Sequence, residues 1–516
     1  MKTSLKKIYN YLDNSEKKRF KIILSCSLIN LFLELLTISL VIPILYYILG
    51  KNTFTYFDKI FSENIFILLS IFMSSIVIKN IFFYLSNQYL LKFLKKLNQR
   101  VSIELLKYYL SINYLEYLKV GYSGFSRTIV IEVNYLVNFY RGIIEFVLHS
   151  IIFIGIFIFL LFYNLQITLM LIVFYLVFLY LPSILIHKQI DDLAVDRKNL
   201  DKNKLYISNH IFQNLNLIKL MKVEEFFKQK FQFFNKGQQN NFYKLSKIQV
   251  LPKILVELST LIFLIIFIYF SFAFKVSLEN LITTVTIFIF AAIRIMPSVN
   301  QIMSSLQSIR YFKNTFISIS EKKDYQLKTP RELAVKNDMS SENKMQIKDK
   351  IEISNMFFKY PGSDNYTLKN INLVIKKNSI FGIQGVSGSG KTTLVNSILG
   401  FLKPDKGSIK CDGKDIFNNI ENWQKEISYL PSNYALLNET LKHNIAYGVD
   451  EKLIDEKNVI NLIKKLELNN LSGQDVFTFN SQVDEDGKNF SAGQIQRICI
   501  ARALYKGSNV LVFDEA

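Results

Sequence analysis

The chain has 516 residues, 50% of them hydrophobic, and its 62 Lys and Arg residues against 42 Asp and Glu give a net charge of +20. This hydrophobic content is high for a soluble globular protein. The basic residues lie between long apolar runs rather than along one polar face, which favours membrane-protein loops over a nucleic-acid groove. We therefore expect no nucleic-acid partner. The three cysteines, Cys26, Cys411 and Cys499, have no spacing typical of a metal site or a disulfide.

Six apolar stretches are long enough to cross a membrane, whose hydrocarbon core requires about 20 helical residues. They cover about 22–49, 65–91, 142–163, 165–187, 250–274 and 278–303. Basic residues cluster before the first stretch, after the second, and between the fourth and fifth, whereas Asn164 alone separates the third from the fourth. Because basic residues concentrate on the cytoplasmic side, this alternation predicts a multi-pass protein of the cell (inner) membrane with both termini in the cytoplasm.

The two long basic connections, of about 50 and 60 residues, predict amphipathic helices that extend the membrane helices into the cytosol. Residues 318–350 turn polar and predict a linker that follows a membrane domain over 1–317. From residue 351 short apolar runs alternate with helical patterns, which predicts an α/β domain over 351–516. The predicted strands are Ile351–Phe357, Asn372–Ile375, Ile380–Gln384 and Val510–Phe513.

A glycine-rich loop follows the third predicted strand and precedes a helical pattern at Thr393–Leu402. It reads Gly385-Val-Ser-Gly-Ser-Gly-Lys391-Thr392. Such glycines let backbone N–H groups close around phosphates at the positive end of a helix. Lys391 adds a point charge to the phosphates, and the Thr392 hydroxyl is placed to bind Mg²⁺. An ordinary glycine turn would not require both the strand and the helix, so we predict a phosphate site.

Two carboxylates, Asp514 and Glu515, come directly after the apolar run Val510–Phe513. Buried strands that end in an acid are common, so this pattern alone is weak evidence. Combined with the phosphate loop, it predicts that Asp514 holds the Mg²⁺ shell and that Glu515 polarises the attacking water.

The segment Phe490-Ser491-Ala-Gly493-Gln494, followed by a basic helix, resembles the signature of the ABC transporter family. That signature reads LSGGQ, so Phe replaces Leu and Ala replaces the first Gly. The resemblance covers essentially the whole chain, in the exporter order of membrane domain before ATP domain. It implies an all-α six-helix transmembrane domain, an α/β P-loop ATP-binding domain, and ATP and Mg²⁺ as cofactors. Tyr360 occupies the position of an aromatic that stacks on adenine in that family, although it would also suit a surface strand.

The family resemblance also implies a dimer, because each ATP lies between the phosphate loop of one subunit and the signature of the other. The partner would be a second copy of the chain or a homologous half-transporter. Glu515 and Lys391 are the expected catalytic residues, with Thr392 and Asp514 at the metal. The expected ATP-binding residues are Tyr360, Gly385, Val386, Ser387, Gly388, Ser389, Gly390, Lys391, Thr392, Thr393, Ser491, Gly493 and Gln494.

Two departures from the family pattern bear on activity. Ser432 stands where the family carries a Gln that binds Mg²⁺ and contacts the membrane domain. The chain ends at Ala516, before the position of the family's switch histidine, so we expect a C-terminally truncated ATP domain and an inactive fragment. A membrane protein that binds nucleotide without efficient turnover is therefore an alternative.

Three segments further resemble bacterial flippases of lipid-linked oligosaccharides: Ile112–Glu132, Leu251-Pro-Lys253 and Arg294-Ile-Met-Pro-Ser-Val-Asn300. This narrower resemblance implies ATP-driven flipping of a lipid-linked oligosaccharide or a similar anionic lipid. Peptide-like and drug-like substrates remain alternatives, because one fold serves all of these exporters.

Charged residues inside the apolar stretches point to the same substrate class. Each costs at least about 2.5 kcal/mol at mid-bilayer, so it tends to face a cavity or a partner. Lys79, Lys253 and Arg294 predict a cationic wall that contacts an anionic head group. The alternatives are that Lys79 snorkels to the interface, that Lys253 pairs with Glu257, and that Arg294 pairs with Glu34 or Glu257.

Overall fold

The computed structural model describes residues 5–48, 65–273, 278–328, 347–468 and 478–514. The chain divides into two compact units. The first, here the helical unit, comprises Met1–Ile112 and Val120–Leu333, and the second, here the α/β unit, comprises Asn113–Lys119 and Ala334–Ala516. The predicted boundaries placed the short segment Asn113–Lys119 in the membrane domain, whereas it groups with the α/β unit in the structure. It belongs to the α/β unit because Tyr114 stacks on Phe401 there, with ring centroids 5.3 Å apart.

The helical unit consists of long helices joined by short turns, with one π-helical turn, Thr128–Glu132. Its helices are α1 (Leu5–Tyr11), α2 (Asn14–Ser39), α3 (Val41–Ile48) and α4 (Ile65–Ser111), then, after α5 (Tyr114–Val120), α6 (Tyr122–Arg127), α7 (Val133–Tyr163), α8 (Leu165–Gln213), α9 (Leu215–Met221), α10 (Glu224–Ala273) and α11 (Leu278–Lys328).

Four of these helices greatly exceed the thickness of a bilayer. Helices α4, α8, α10 and α11 contain 47, 49, 50 and 51 residues. At about 1.5 Å per residue each is roughly 70–75 Å long, more than twice a hydrocarbon core of about 30 Å. The prediction that the basic connections continue the membrane helices is therefore confirmed.

Five described helices are long and apolar enough to cross a membrane by length and composition. They coincide with five of the six predicted stretches, and the remaining one, 165–187, lies within α8. The count of six spans therefore stays a prediction. Pro252 and Pro297 lie inside α10 and α11.

Residues 318–328 are helical rather than linker. The last turns of α11 extend to Lys328 because Phe316 and Ile319 are almost fully buried in a core with α4 and α7. The polar composition of this stretch concealed its buried face. Residues 329–346 of the predicted linker lie outside the described residues.

The α/β unit contains an antiparallel four-stranded sheet of order β2-β1-β3-β4 and a parallel pair, β5-β6. The strands are β1 (Lys350–Phe358), β2 (Leu368–Lys376), β3 (Lys406–Cys411), β4 (Lys414–Asp415), β5 (Ile427–Leu430) and β6 (Val510–Phe513). The helices are α12 (Lys391–Ile398), α13 (Ile420–Lys425), α14 (Leu441–Ile445), α15 (Glu456–Lys465) and α16 (Ala492–Tyr505).

The predicted strand Ile380–Gln384 is wrong. The segment has no regular structure, and Ile380 is fully exposed. Strands β5 and β6 pair with each other, and no described strand pairs with residues 380–384. An apolar run needs a neighbouring strand for its backbone hydrogen bonds, so composition alone does not make it a strand.

One hydrophobic core positions the glycine-rich loop. Helix α12, strands β1 and β3, and β5 pack around Trp423, which is completely buried and donates from its indole Nε1 to the Ile398 carbonyl at 2.8 Å. Ile383, just before the loop, and Val512 of β6 pack against the same core. The loop and the end of β6 are therefore held by one set of apolar contacts.

Candidate functional site

The loop 385–392 curls around its own lysine. Lys391 Nζ donates to the carbonyl oxygens of Gly385 and Val386 at 2.7 and 2.9 Å. Gly390 has φ of +92°, and a Cβ there would lie 3.2 Å from the Thr367 carbonyl oxygen, so a larger residue is excluded by both conformation and contact. The loop is thus preorganised around a positive charge.

The N-terminus of α12 presents backbone donors beside that charge. The residue before the helix is Gly390, which has no side chain to cap it, and the second helical residue, Thr392, is exposed. The first N–H groups of a helix have no partner inside the helix, and the helix dipole makes this end positive. These donors, the Lys391 ammonium and the Thr392 hydroxyl form a set that suits a polyphosphate.

Tyr360, the predicted adenine-stacking residue, lies next to this helix. Its hydroxyl is within hydrogen-bond distance of Thr393 Oγ1, at 3.2 Å. Its ring meets Phe358 edge-on, with centroids 5.2 Å apart and an interplanar angle of 85°. The ring is half-buried, so part of it is accessible beside the loop.

Asp514 lies at the carboxyl end of β6, where the parallel register pairs Leu430 with Phe513. Its backbone N–H donates to the Leu430 carbonyl at 3.0 Å. The Tyr429 hydroxyl donates to Asp514 Oδ2 at 3.1 Å. Burial, reinforced by the negative charge of Asp514, raises the pKa of Tyr429 to about 12, so the phenol stays protonated at neutral pH. The other predicted carboxylate, Glu515, lies outside the described residues.

The predicted signature forms the N-terminus of α16. The Ser491 hydroxyl accepts from the Gln494 backbone N–H at 3.3 Å, and the Gln494 side chain accepts from the Ser491 N–H at 2.6 Å. This reciprocal cap fixes the start of the helix. Gly493 is exposed, and a Cβ added there would meet nothing within 4 Å. Its lack of a side chain is therefore not required by contacts in the described chain.

Sequence reasoning missed the packing of Tyr114 and Leu115 inside the α/β unit. Tyr114 stacks on Phe401, and Tyr114 and Leu115 pack against the core that holds α12. The sequence feature that could have indicated this packing is the high number of tyrosines over residues 108–117. It does not specify which surface the rings contact.

In the helical unit, one carboxylate joins two of the three cations predicted to line a substrate cavity. Glu34 of α2 accepts from Lys79 of α4 at 2.9 Å and from Arg294 of α11 at 3.0 Å. The Lys79 side chain is 8% exposed and that of Arg294 is 34% exposed. Lys79 therefore does not snorkel, and Arg294 has the partner that the alternative interpretation gave it.

Lys253 of α10 is separate from this cluster in the described contacts. Its side chain is exposed, and within the described ranges no ion pair joins it to Glu34 or Glu257. The structure thus brings together Lys79 and Arg294 but not Lys253.

Comparison with known proteins identifies the α/β unit. Residues 368–516, which include the loop, the cap of α16 and the end of β6, match the sequence profile of the ABC transporter family. This segment is similar to ABC transporters. Over 172 residues, 33% of its length, the chain is 36% identical to an ATP-dependent lipid A-core flippase of Syntrophus aciditrophicus, of which it covers 28%. It is equally similar, over 172 residues, to the leukotoxin translocation ATP-binding protein LktB of Mannheimia glucosida, of which it covers 24%.

The similarity in structure extends over both units. A bacterial Atm1-family ABC exporter solved with ATP bound aligns with 98% of the chain and 86% of its own length, at a TM-score of 0.73 and 17% sequence identity. At this identity the match establishes the fold, a helical membrane-type unit followed by an ABC domain. The chain spans only 28% and 24% of the length of these two sequence relatives.

Proposed function

We propose that the chain hydrolyses ATP to drive the export or flipping of an anionic lipid, such as a lipid-linked oligosaccharide, across the cell (inner) membrane. The observation that carries this proposal is the loop wrapped around Lys391 at the start of α12, in an ABC domain that follows helices long enough to cross a bilayer. The family relatives named as a lipid A-core flippase and a leukotoxin translocation protein support an exporter.

The residues present fit ATP with Mg²⁺. Lys391 and the N–H groups at the start of α12 would hold the phosphates, and Tyr360 would stack on the adenine. The Thr392 hydroxyl and the Asp514 carboxylate are hard oxygen donors of the kind Mg²⁺ prefers. Bound Mg²⁺ would neutralise charge that develops on the phosphates. Glu515 would accept the proton of the attacking water.

The active form would be a dimer with a second copy or a homologous half-transporter. Ser491, Gly493 and Gln494 would complete the ATP site of the partner from the N-terminus of α16. Two observations support this proposal: this end of the helix is exposed, and no described hydrogen bond joins it to the phosphate loop of its own chain. Both termini would lie in the cytoplasm.

The charge cluster of the helical unit supports an anionic substrate. One carboxylate, Glu34, serves two cations, Lys79 and Arg294, so the cluster carries one net positive charge. Arg294 is the more exposed cation and would contact a phosphate-bearing head group, which Arg binds in a bidentate manner. Lys253 would assist from α10.

Two other functions have specific support. The LktB relative favours export of a polypeptide. Ser432 favours a protein that binds nucleotide with little turnover, since its short, exposed side chain stands at the position of the family's Gln. The measurements below separate both alternatives from the main proposal.

The test is phosphate release by the full-length protein reconstituted in lipid vesicles. We expect Mg²⁺-dependent release that Glu515→Gln abolishes while ATP binding persists. The matched variant Glu421→Gln removes an exposed carboxylate elsewhere in the α/β unit and should leave the rate unchanged. ATP binding without phosphate release in the wild type would instead establish the low-turnover alternative.

A further inference from the structure

The parallel register of β5 and β6 places Tyr429 and Asp514 on one face of the strand pair. Tyr429 lies opposite Val512, and Asp514 is two residues further along β6. Because side chains alternate between the faces of a strand, Val512 and Asp514 share a face with Tyr429. The 3.1 Å hydrogen bond from Tyr429 Oη to Asp514 Oδ2 follows from this register.

This hydrogen bond is the one described side-chain contact that holds the Asp514 carboxylate. A carboxylate at the end of a strand otherwise rotates about its side-chain torsions and is only half-buried here. The phenol ring of Tyr429 is anchored, since it packs against the core around Trp423 and Ile427. An anchored donor therefore fixes the orientation of Asp514 and occupies one of its two oxygens.

We propose that Tyr429 is a positioning residue that holds Asp514 in the orientation required to bind the Mg²⁺ of Mg·ATP. The proposal rests on the proposed function, since it assigns Mg²⁺ to Asp514. The Oδ2 atom is occupied by the phenol, which leaves Oδ1 to face the metal or a water bound to it. A neutral donor stabilises the carboxylate without adding a competing positive charge. Hydrogen-bond partners of metal-binding carboxylates act in this way in other metal sites.

A purely structural role for Tyr429 predicts a different response. The ring alone would then matter, and Tyr429→Phe, which keeps the ring and removes only the hydroxyl, would leave metal binding unchanged. If Tyr429 positions Asp514, the same variant weakens metal binding with no loss of folding. Tyr434→Phe is the matched control, since Tyr434 is a half-buried tyrosine of the same segment with no described hydrogen bond from its hydroxyl.

The measurement is the affinity of the full-length protein for Mn²⁺, used in place of Mg²⁺, by electron paramagnetic resonance with a saturating non-hydrolysable ATP analogue. We expect Tyr429→Phe to weaken Mn²⁺ binding roughly tenfold. Loss of a hydrogen-bond partner of a metal ligand typically lowers metal affinity by about ten- to a hundredfold, and this is the lower value. The analogue should bind Tyr429→Phe in EDTA as it binds the wild type, and Tyr434→Phe should match the wild type in both measurements. The ATPase of Tyr429→Phe should recover at high Mg²⁺.

Unchanged Mn²⁺ affinity in a folded Tyr429→Phe protein would overturn the inference while leaving the proposed function intact, provided that the wild type binds and hydrolyses Mg·ATP. A wild-type protein that binds neither ATP nor Mn²⁺ with the analogue would overturn both. Asp514→Asn gives the reference for the loss of the metal-binding group itself, and its Mn²⁺ affinity should fall at least as far as that of Tyr429→Phe.

Discussion

At the scale of single residues, one charged group in each unit has two partners and bears on the proposed function. Lys391 is held by two carbonyl oxygens of its own loop, and Glu34 by two cations from different helices. In the first case the partners are weak acceptors that a phosphate can replace. In the second the partners are ionic and mostly shielded from solvent. The two groups should therefore respond differently to substitution.

Lys391→Ala should weaken nucleotide binding without unfolding the domain. In the described structure the Nζ atom donates to two exposed carbonyls of the loop, which water can satisfy after the change. Loss of one hydrogen bond from a charged group to phosphate costs about 1.5–3 kcal/mol, roughly tenfold to a hundredfold in affinity. A fluorescent ATP analogue measures the affinity, and the thermal unfolding midpoint measures stability. Wild-type affinity in the variant would contradict the assignment of the loop.

Replacing Arg294 and replacing Glu34 should have opposite consequences. Arg294→Ala leaves Glu34 paired with Lys79, so no charge is stranded, and the protein should fold but transport poorly. Glu34→Ala leaves two cations without a counter-charge and should destabilise the helical unit by about 3–5 kcal/mol. Expression, thermal stability and substrate-stimulated ATPase of both variants are the measurements. An Arg294→Ala protein that transports normally would remove the head-group role, and a stable Glu34→Ala protein would contradict the ion-pair account.

At the scale of elements, the α/β unit depends on the contact between α13 and α12 made by Trp423. This residue is the single tryptophan of the chain, so its fluorescence reports on this unit alone. Trp423→Phe leaves the buried Ile398 carbonyl without its donor and should cost about 1–3 kcal/mol. Leu453→Ala, at an exposed position, is the control. Calorimetry of the two variants should show a lower unfolding temperature for Trp423→Phe only. Equal unfolding temperatures would show that the hydrogen bond of Trp423 does not stabilise the α/β unit.

The elements show where sequence patterns suffice. Strands β1, β2 and β6, the helix after the loop and the long helices agree with prediction, because each has a local periodicity or a motif. The prediction of a strand at residues 380–384 was wrong, because a strand requires a neighbouring strand that composition does not reveal. The same limit hid the contact of Tyr114 with Phe401 and the helical state of residues 318–328, which depend on packing between segments distant in the sequence.

The candidate site was predictable for the same reason. Short motifs correctly placed Lys391, Thr392 and Ser491 at helix starts, whereas their roles toward ATP stay predictions. The pairing of Tyr429 with Asp514 and the sharing of Glu34 by Lys79 and Arg294 were not predicted, because strand register and helix packing decide them. The sequence shows which acidic and basic residues lie in the apolar stretches, but it does not show which of them form ion pairs.

At the scale of the whole molecule, the proposed dimer makes a prediction about mixed subunits. Lys391→Ala disables the loop, and Gly493→Val places a side chain where the signature should meet the partner's ATP. Gly493 faces open space in its own chain, so Gly493→Val should fold. A mixed dimer then keeps one intact site. We expect two inactive variants to recover part of the ATPase when they are coexpressed, whereas persistent inactivity with mixed dimers present would contradict shared sites.

The proposed function requires that ATP hydrolysis in the α/β unit moves an anionic lipid through the helical unit. Its most direct test is the full-length protein in vesicles that carry a fluorescent pyrophosphate-linked lipid, with reduction of the outer-leaflet dye as the readout. We expect ATP-dependent movement of the lipid between leaflets, which Glu515→Gln should abolish and Arg294→Ala should reduce. Equal movement with and without ATP, or in the wild type and Glu515→Gln alike, would contradict it.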